Sequence, residues 1–272
     1  MALTTSILPT TLYATLPLWP LGGAILIGLW IALRVKAERA HWPVVLGVFA
    51  SAVLAVTLFA DLHKQHAAGE TPSLAGRGQG EGHAAASAPS PSLPLDGGGV
   101  PGAGDATGQT GFTLPVYNWM SLGQTVSQDR GQWLTVNFFF DGLTGVMLLF
   151  VTVVSLMVVL YAVGYMRDHH GHPERGYERF FAFLGLFVFS MITLVMAGNF
   201  VLLYLGWELV GLCSYLLIGL YYKKPEAAAA AKKAFIVNRV GDFGFALGLF
   251  CLYWFLRPYV QPGENPLDYA VV

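Results

Sequence analysis

Three observations predict an all-α, polytopic helical membrane protein of about six transmembrane helices. Of 272 residues, 55% are hydrophobic and only 11% are charged. The apolar residues gather into runs of about 20, the length of helix that crosses roughly 30 Å of hydrocarbon, rather than alternating along the chain. The charges fall mostly between those runs. A soluble globular domain is excluded on these grounds. The net charge of -1 supplies no basic field for nucleic acid. The two cysteines, Cys213 and Cys251, both lie within apolar runs, where they behave as small hydrophobes with no disulfide or metal spacing.

In chain order, residues 1–66 hold two spans, about Ala14 to Leu33 and about Trp42 to Leu62. The first is not a signal peptide: no Lys or Arg precedes it, its apolar run is too long, and the positive charges follow it. Residues 67–137 change to Gly, Ala, Ser and Pro, with too little apolar surface to offset the entropy of ordering. They read as an external loop. GRGQGEG within it follows no strand and lacks the Lys-Ser/Thr ending of a phosphate loop. Residues 112–137 regain aromatic and β-branched residues around turn formers, which suits a short hairpin on the membrane surface.

Residues 138–256 hold four more spans. The third, about Phe138 to Tyr165, opens with FFFDGLTG, where Asp141 is placed to cap first-turn N–H groups. The HHxH of His169, His170 and His172 sits in a Gly/Pro loop and reads as solvated rather than metal-binding. The fourth span, about Phe180 to Ala197, and the fifth, Phe200 to Tyr222, are separated only by Gly198 and Asn199, so they are antiparallel neighbours. YYKKPEAAAAAKK reads as a short amphipathic turn before a sixth span from about Lys233 to Leu256. Residues 257–272 are expected to be an external tail of a truncated unit.

With loops assigned alternately, one side receives Arg34, Lys36, Arg39, Arg167, Arg175, Arg179, Lys223, Lys224, Lys232 and Lys233. The other receives Lys64, Arg77, Arg130 and Arg257. The excess marks the cytoplasmic side and leaves the N-terminus outside.

Two groups of polar residues lie inside spans. Glu208 is the one charge in FVLLYLGWELVGLCSYLLIGLYY, where insertion costs about 2.5 kcal/mol or more. The sixth span carries Asn238, Arg239 and Asp242; Arg239 and Asp242 at i and i+3 can pair along one face. Gly241, Gly244 and Gly248 share a face open to a partner helix. At 1.5 Å per residue, Glu208 and Asp242 fall within roughly 5 Å of each other in depth, with their lateral separation open. A protonated glutamic acid serving only as interhelical glue is the alternative to a proton relay.

The stretches DGLTGVMLLFVTVVSLMVVLYAVGYMRD, GWELVGLCSYLLIG and NRVGD resemble the antiporter-like L-type membrane subunits of respiratory complex I, the NADH-quinone oxidoreductases. The resemblance is strong over about Phe138 to Leu249. It implies a partial antiporter-like repeat in which Glu208 is the key glutamate of the fifth helix, Arg239 and Asp242 belong to the RVGD of the sixth, and Lys233 is the lysine before it. Together these make a proton path driven by quinone reduction elsewhere in the complex. It implies no cofactor and no redox centre in this chain. Implied partners are the other membrane-arm subunits, especially the M-type chain, and the lipid of a bacterial plasma membrane. Members of the family have many more helices, so the chain is expected to be a fragment, a truncated product, or one half of a split subunit. The large subunit of sodium/proton antiporters and a non-translocating structural piece of the membrane arm are the alternatives. In low dielectric the neutral acid of Glu208 is favoured, and an approaching cation favours its ionised form, so a moving positive charge could load and unload a proton.

Overall fold

The computed structural model describes residues 10–33, 40–69, 112–121, 133–168, 170, 172–260 and 265–269. The basic loop holding Arg34, Lys36 and Arg39, the Gly/Pro stretch 70–111 with Arg77, and Arg130 and His169 lie outside the described residues.

A short helix α1 (Thr10–Tyr13) leads into α2 (Leu18–Ala32), followed by α3 (Trp42–Gly69), strands β1 (Phe112–Ser121) and β2 (Trp133–Phe140), and helices α4 (Gly142–Tyr165), α5 (Tyr177–Val195), α6 (Phe200–Ile218) and α7 (Pro225–Leu256). Six helical stretches are long and apolar enough to cross a bilayer, the first of them Thr11–Ala32, which takes in α1 and α2. The chain is a multi-pass membrane protein.

Three element boundaries differ from the sequence reading, each for a local reason. The third span starts at Gly142, not Phe138, because the aromatic run Phe138–Phe140 pairs in β2 and Asp141 then caps α4 by accepting the Thr144 N–H at 2.6 Å. The Lys/Ala segment before the sixth span is no turn: α7 begins at Pro225, whose ring fits the first helical position, and the alanines carry the helix unbroken into the apolar run. α3 continues past Leu62 to Gly69. Asp61 therefore sits on a buried helix face, 4% exposed, and accepts the Tyr13 hydroxyl at 2.5 Å.

The bundle is built in hairpins. α2 packs between α3 and α5, α3 packs on α4, α5 on α6, and α7 leans chiefly on α6. Leu16, Val44, Leu58, Leu148, Phe181 and Ile192 form the centre of the core. At the start of α3, His41 is 6% exposed, with its Nδ1 2.9 Å from the Tyr177 hydroxyl. Burial, with Arg167 adding to it, pushes this histidine below its ordinary pKa.

α5 and α6 approach so closely that a Cβ on Gly206 would lie 2.9 Å from the Leu194 Cα. Only glycine permits that contact, and it fixes the rotation of α6 two residues before Glu208. At the same end of α5 and α6, four segments are laced together. Asn199 caps α6 by accepting the Leu202 N–H at 2.7 Å, and its amide donates to the Thr135 carbonyl at 2.7 Å and to Asn137 Oδ1 at 2.5 Å. The Gly198 N–H donates to the Asn137 carbonyl. Residues 265–269 return onto this turn, with the Phe200 N–H donating to the Leu267 carbonyl and the Tyr269 N–H to that of Gly198. Residues 265–269, docking by backbone bonds beside Asn137 and Asn199, tie hairpin, turn and this returning segment into one block.

Among the described residues, Asp268 is the one carboxylate in that block. Burial pushes its pKa up to about 6, with hydrogen bonds from Asn137 and Asn199 pulling partly the other way. Because this lies above the unfolded value of about 3.9, the docked tail favours the protonated acid. Its contribution is complete below about pH 4 and is lost as pH rises through about 6. Hydrogen exchange at the Tyr269 amide is therefore expected to be slower at pH 5 than at pH 8, after correction for intrinsic rates, and Asp268→Asn is expected to remove that difference. Equal corrected protection at both pH values in the unsubstituted chain contradicts this.

Candidate functional site: a shared guanidinium between two spans

The face of α6 toward α7 repeats at helical spacing. Tyr204 and Glu208 stand one above the other at i and i+4, and the tyrosine hydroxyl donates to Glu208 Oε1 at 2.8 Å. On α7, Phe235, Arg239 and Asp242 follow at spacings of four and three, and Phe245 stands three beyond Asp242. Gly206 has already set the rotation of α6, so Glu208 and Trp207 face this stripe.

Arg239 reaches across from α7 and its Nη1 pairs with Glu208 Oε2. The same Nη1 lies 3.6 Å from Asp242 Oδ2. Asp242 is 4% exposed and takes its own donor from α6, the Trp207 indole N–H, at 2.9 Å from Oδ1. The Arg239 guanidinium carbon lies 4.7 Å from the centre of the Phe235 ring. That contact holds the side chain pointing toward α6. Arg239 Nε is buried without a hydrogen-bond partner. Phe245 packs edge-on against both Tyr204 and Trp207, at 5.4 and 6.3 Å between ring centres.

The structure thus brings together three of the four residues singled out from sequence. Lys233 is not among them: it is exposed, six residues before Arg239, and so about 9 Å away along the helix axis. The pairing also differs from the simplest expectation. Arg239 favours Glu208 on the neighbouring helix over Asp242 on its own, because the tryptophan indole already satisfies one oxygen of the aspartate. Cβ atoms added at Gly241, Gly244 and Gly248 would meet nothing within 4 Å, so that face carries no close partner among the described residues. His170 and His172 are exposed, and no His/Cys/Asp/Glu cluster with metal geometry occurs among the described residues. Tyr204 was readable in principle from its i, i+4 spacing to Glu208. Trp207 was not, since its role depends on how α6 and α7 cross.

Two family profiles match the chain. Residues 130–181 match the one described as NADH-ubiquinone oxidoreductase (complex I), chain 5 N-terminus. Residues 197–258 match NADH:quinone oxidoreductase/Mrp antiporter, TM. The second holds all four residues, Glu208, Lys233, Arg239 and Asp242.

The chain is a relative of the L-type antiporter-like subunits of NADH-quinone oxidoreductase.

It is 38% identical over 240 residues to NADH-quinone oxidoreductase subunit L of Neisseria meningitidis serogroup A, which covers 88% of this chain and 27% of that protein. With subunit L of Escherichia coli the identity is 48% over 148 residues, 54% of this chain and 22% of the other. With subunit L of Rhodobacter capsulatus it is 56% over 116 residues, 42% and 16% respectively. The chain therefore spans about a quarter of the length of the curated relatives it matches. Among solved structures, a chain of the membrane-bound sulfane sulfur reductase, an archaeal respiratory membrane complex, shares the fold. Its TM-score is 0.56 at 14% identity, over 90% of this chain and 37% of that one.

Breaking one partner of a buried ion pair strands the other charge. Arg239→Met is expected to destabilise the bundle by about 3 kcal/mol, the low end for such a loss because the Arg239 side chain is 36% exposed. Adding Glu208→Gln to Arg239→Met is expected to restore a large part of it. Detergent-titrated unfolding followed by circular dichroism measures both; a double variant no more stable than the single one contradicts the pairing.

Proposed function

We propose that this chain forms part of a proton-translocating membrane subunit of an NADH-quinone oxidoreductase. In this reading, quinone reduction elsewhere in the complex is coupled to proton movement past Glu208, Arg239 and Asp242. The observation that carries it is the ratio of charges: two carboxyl groups from adjacent spans share one guanidinium. In hydrocarbon such a cluster is neutral when one carboxyl group holds a proton and the other pairs with the arginine. It is a proton-storing station whose occupancy follows the position of the positive charge. Moving Arg239 from Glu208 toward Asp242, or bringing in a further cation, exchanges which oxygen carries the proton.

Lys233, on the same helix and nearer the basic end, serves in this reading as the cation on the path to that station. Orientation follows from the positive charges: the N-terminus, the stretch 67–137 and residues 257–272 lie outside, and the Lys/Arg-rich loops face the cytoplasm of a bacterial plasma membrane. The other membrane-arm subunits, foremost the M-type antiporter-like chain, are the neighbours. The L-type names of the relatives support this assignment, and the depth of Glu208 and Asp242 within apolar helices supports the proton-handling role.

A second reading comes from the profile over residues 197–258, whose description also names the Mrp antiporter. Sodium/proton exchange would then use the same carboxylates.

In membranes carrying the assembled complex, Glu208→Gln is expected to abolish NADH-driven proton uptake into inverted vesicles while the complex still assembles. Full pumping by the variant would leave the cluster a packing device only. Proton movement that requires sodium would favour the exchanger.

A further inference from the structure

Between α5, α6 and α7, at the end of the bundle carrying the Lys and Arg excess, lies a cavity of about 300 Å³. Two cations line it from different helices. Arg179 comes from the first turn of α5, and Lys232 from about two turns into α7. Arg179 is half-buried, with its guanidinium carbon 5.3 Å from the centre of the Tyr222 ring, which holds it in place at the cavity wall. Gly219 allows the closure of the cavity floor: a Cβ there would stand 3.3 Å from that of Ala231 on α7. Among the described residues neither cation forms an ion pair, and no carboxylate lines the cavity. Glu174, at the same end, is engaged by the Tyr221 hydroxyl at 2.6 Å. The remaining wall is apolar, from Phe183, Leu216 and Leu220.

We propose that this cavity binds the headgroup of an anionic phospholipid, with its phosphate between Arg179 and Lys232 and the start of an acyl chain against the apolar wall. Cations and hydrocarbon at one depth, near the ends of spanning helices, match the two halves of such a molecule. A free phosphate would use the cations and leave the wall bare. The site is separate from the Glu208–Arg239 station and does not depend on its role.

The full chain in a zwitterionic detergent, exposed to equal amounts of phosphatidylglycerol and phosphatidylcholine, is examined by native mass spectrometry. Phosphatidylglycerol is expected to be retained in preference. Arg179→Gln with Lys232→Gln is expected to lower that retention roughly 30-fold, while Lys64→Gln, exposed at the opposite end, leaves it unchanged. If the double variant loses its helical circular dichroism, Lys232→Gln alone is used and is expected to lower retention roughly fivefold. Equal retention of both lipids, no loss in the Arg179 and Lys232 variants, or an equal loss with Lys64→Gln overturns the proposal. Displacement of the lipid by millimolar inorganic phosphate also overturns it, in favour of a free-anion site.

Discussion

A charge placed in hydrocarbon needs a partner, and the partner of Glu208 on another helix organises the α6–α7 half of this bundle. Glu208 has no opposite charge on its own helix. Its counterion, Arg239, comes from α7. α7 otherwise presents mostly exposed apolar side chains, with Ala231 and Asp242 as its buried positions. The polar contacts of Arg239 and Trp207 thus tie α7 to α6 at a definite register, as well as assembling whatever chemistry the cluster performs.

The other elements fix the position of Glu208 before the arginine reaches it. Gly206 lets α6 lie against the backbone of α5, Asn199 anchors the start of α6 to β2, and the returning residues 265–269 close over the same turn. At the opposite end of α5, buried Tyr177 meets buried His41. α5 is thus held at both ends, beside the α6 face that carries Glu208. In the proposed relay, exchange of charge between Glu208 and Asp242 would need rotation of one long side chain, Arg239, rather than movement of a helix.

Much of this was legible in the chain itself. Runs of about 20 apolar residues gave the spans, because length and hydropathy are local properties. Asp141 as a helix cap and the depth match of Glu208 and Asp242 also follow from spacing alone. Boundaries were less legible where two tendencies compete. The aromatic run 138–140 is apolar enough to join a span yet pairs as a strand, and the Lys/Ala stretch around Pro225 reads as a short amphipathic turn although its alanines are strong helix formers. What spacing cannot supply is the lateral arrangement. The choice of Arg239 for Glu208, the indole donor of Trp207 and the burial of Asp61 against Tyr13 all depend on which faces of separate helices meet.

The central claim is that Glu208 is ionised because Arg239 stands beside it. Infrared difference spectroscopy of the chain in bilayers, with Glu208→Gln spectra subtracted to isolate the one side chain, reads that state directly. Absorption in the carboxylate region is expected for the unsubstituted chain, moving to the carboxylic-acid carbonyl region in Arg239→Met. A Glu208 signal that stays in the same region with and without the arginine would contradict it.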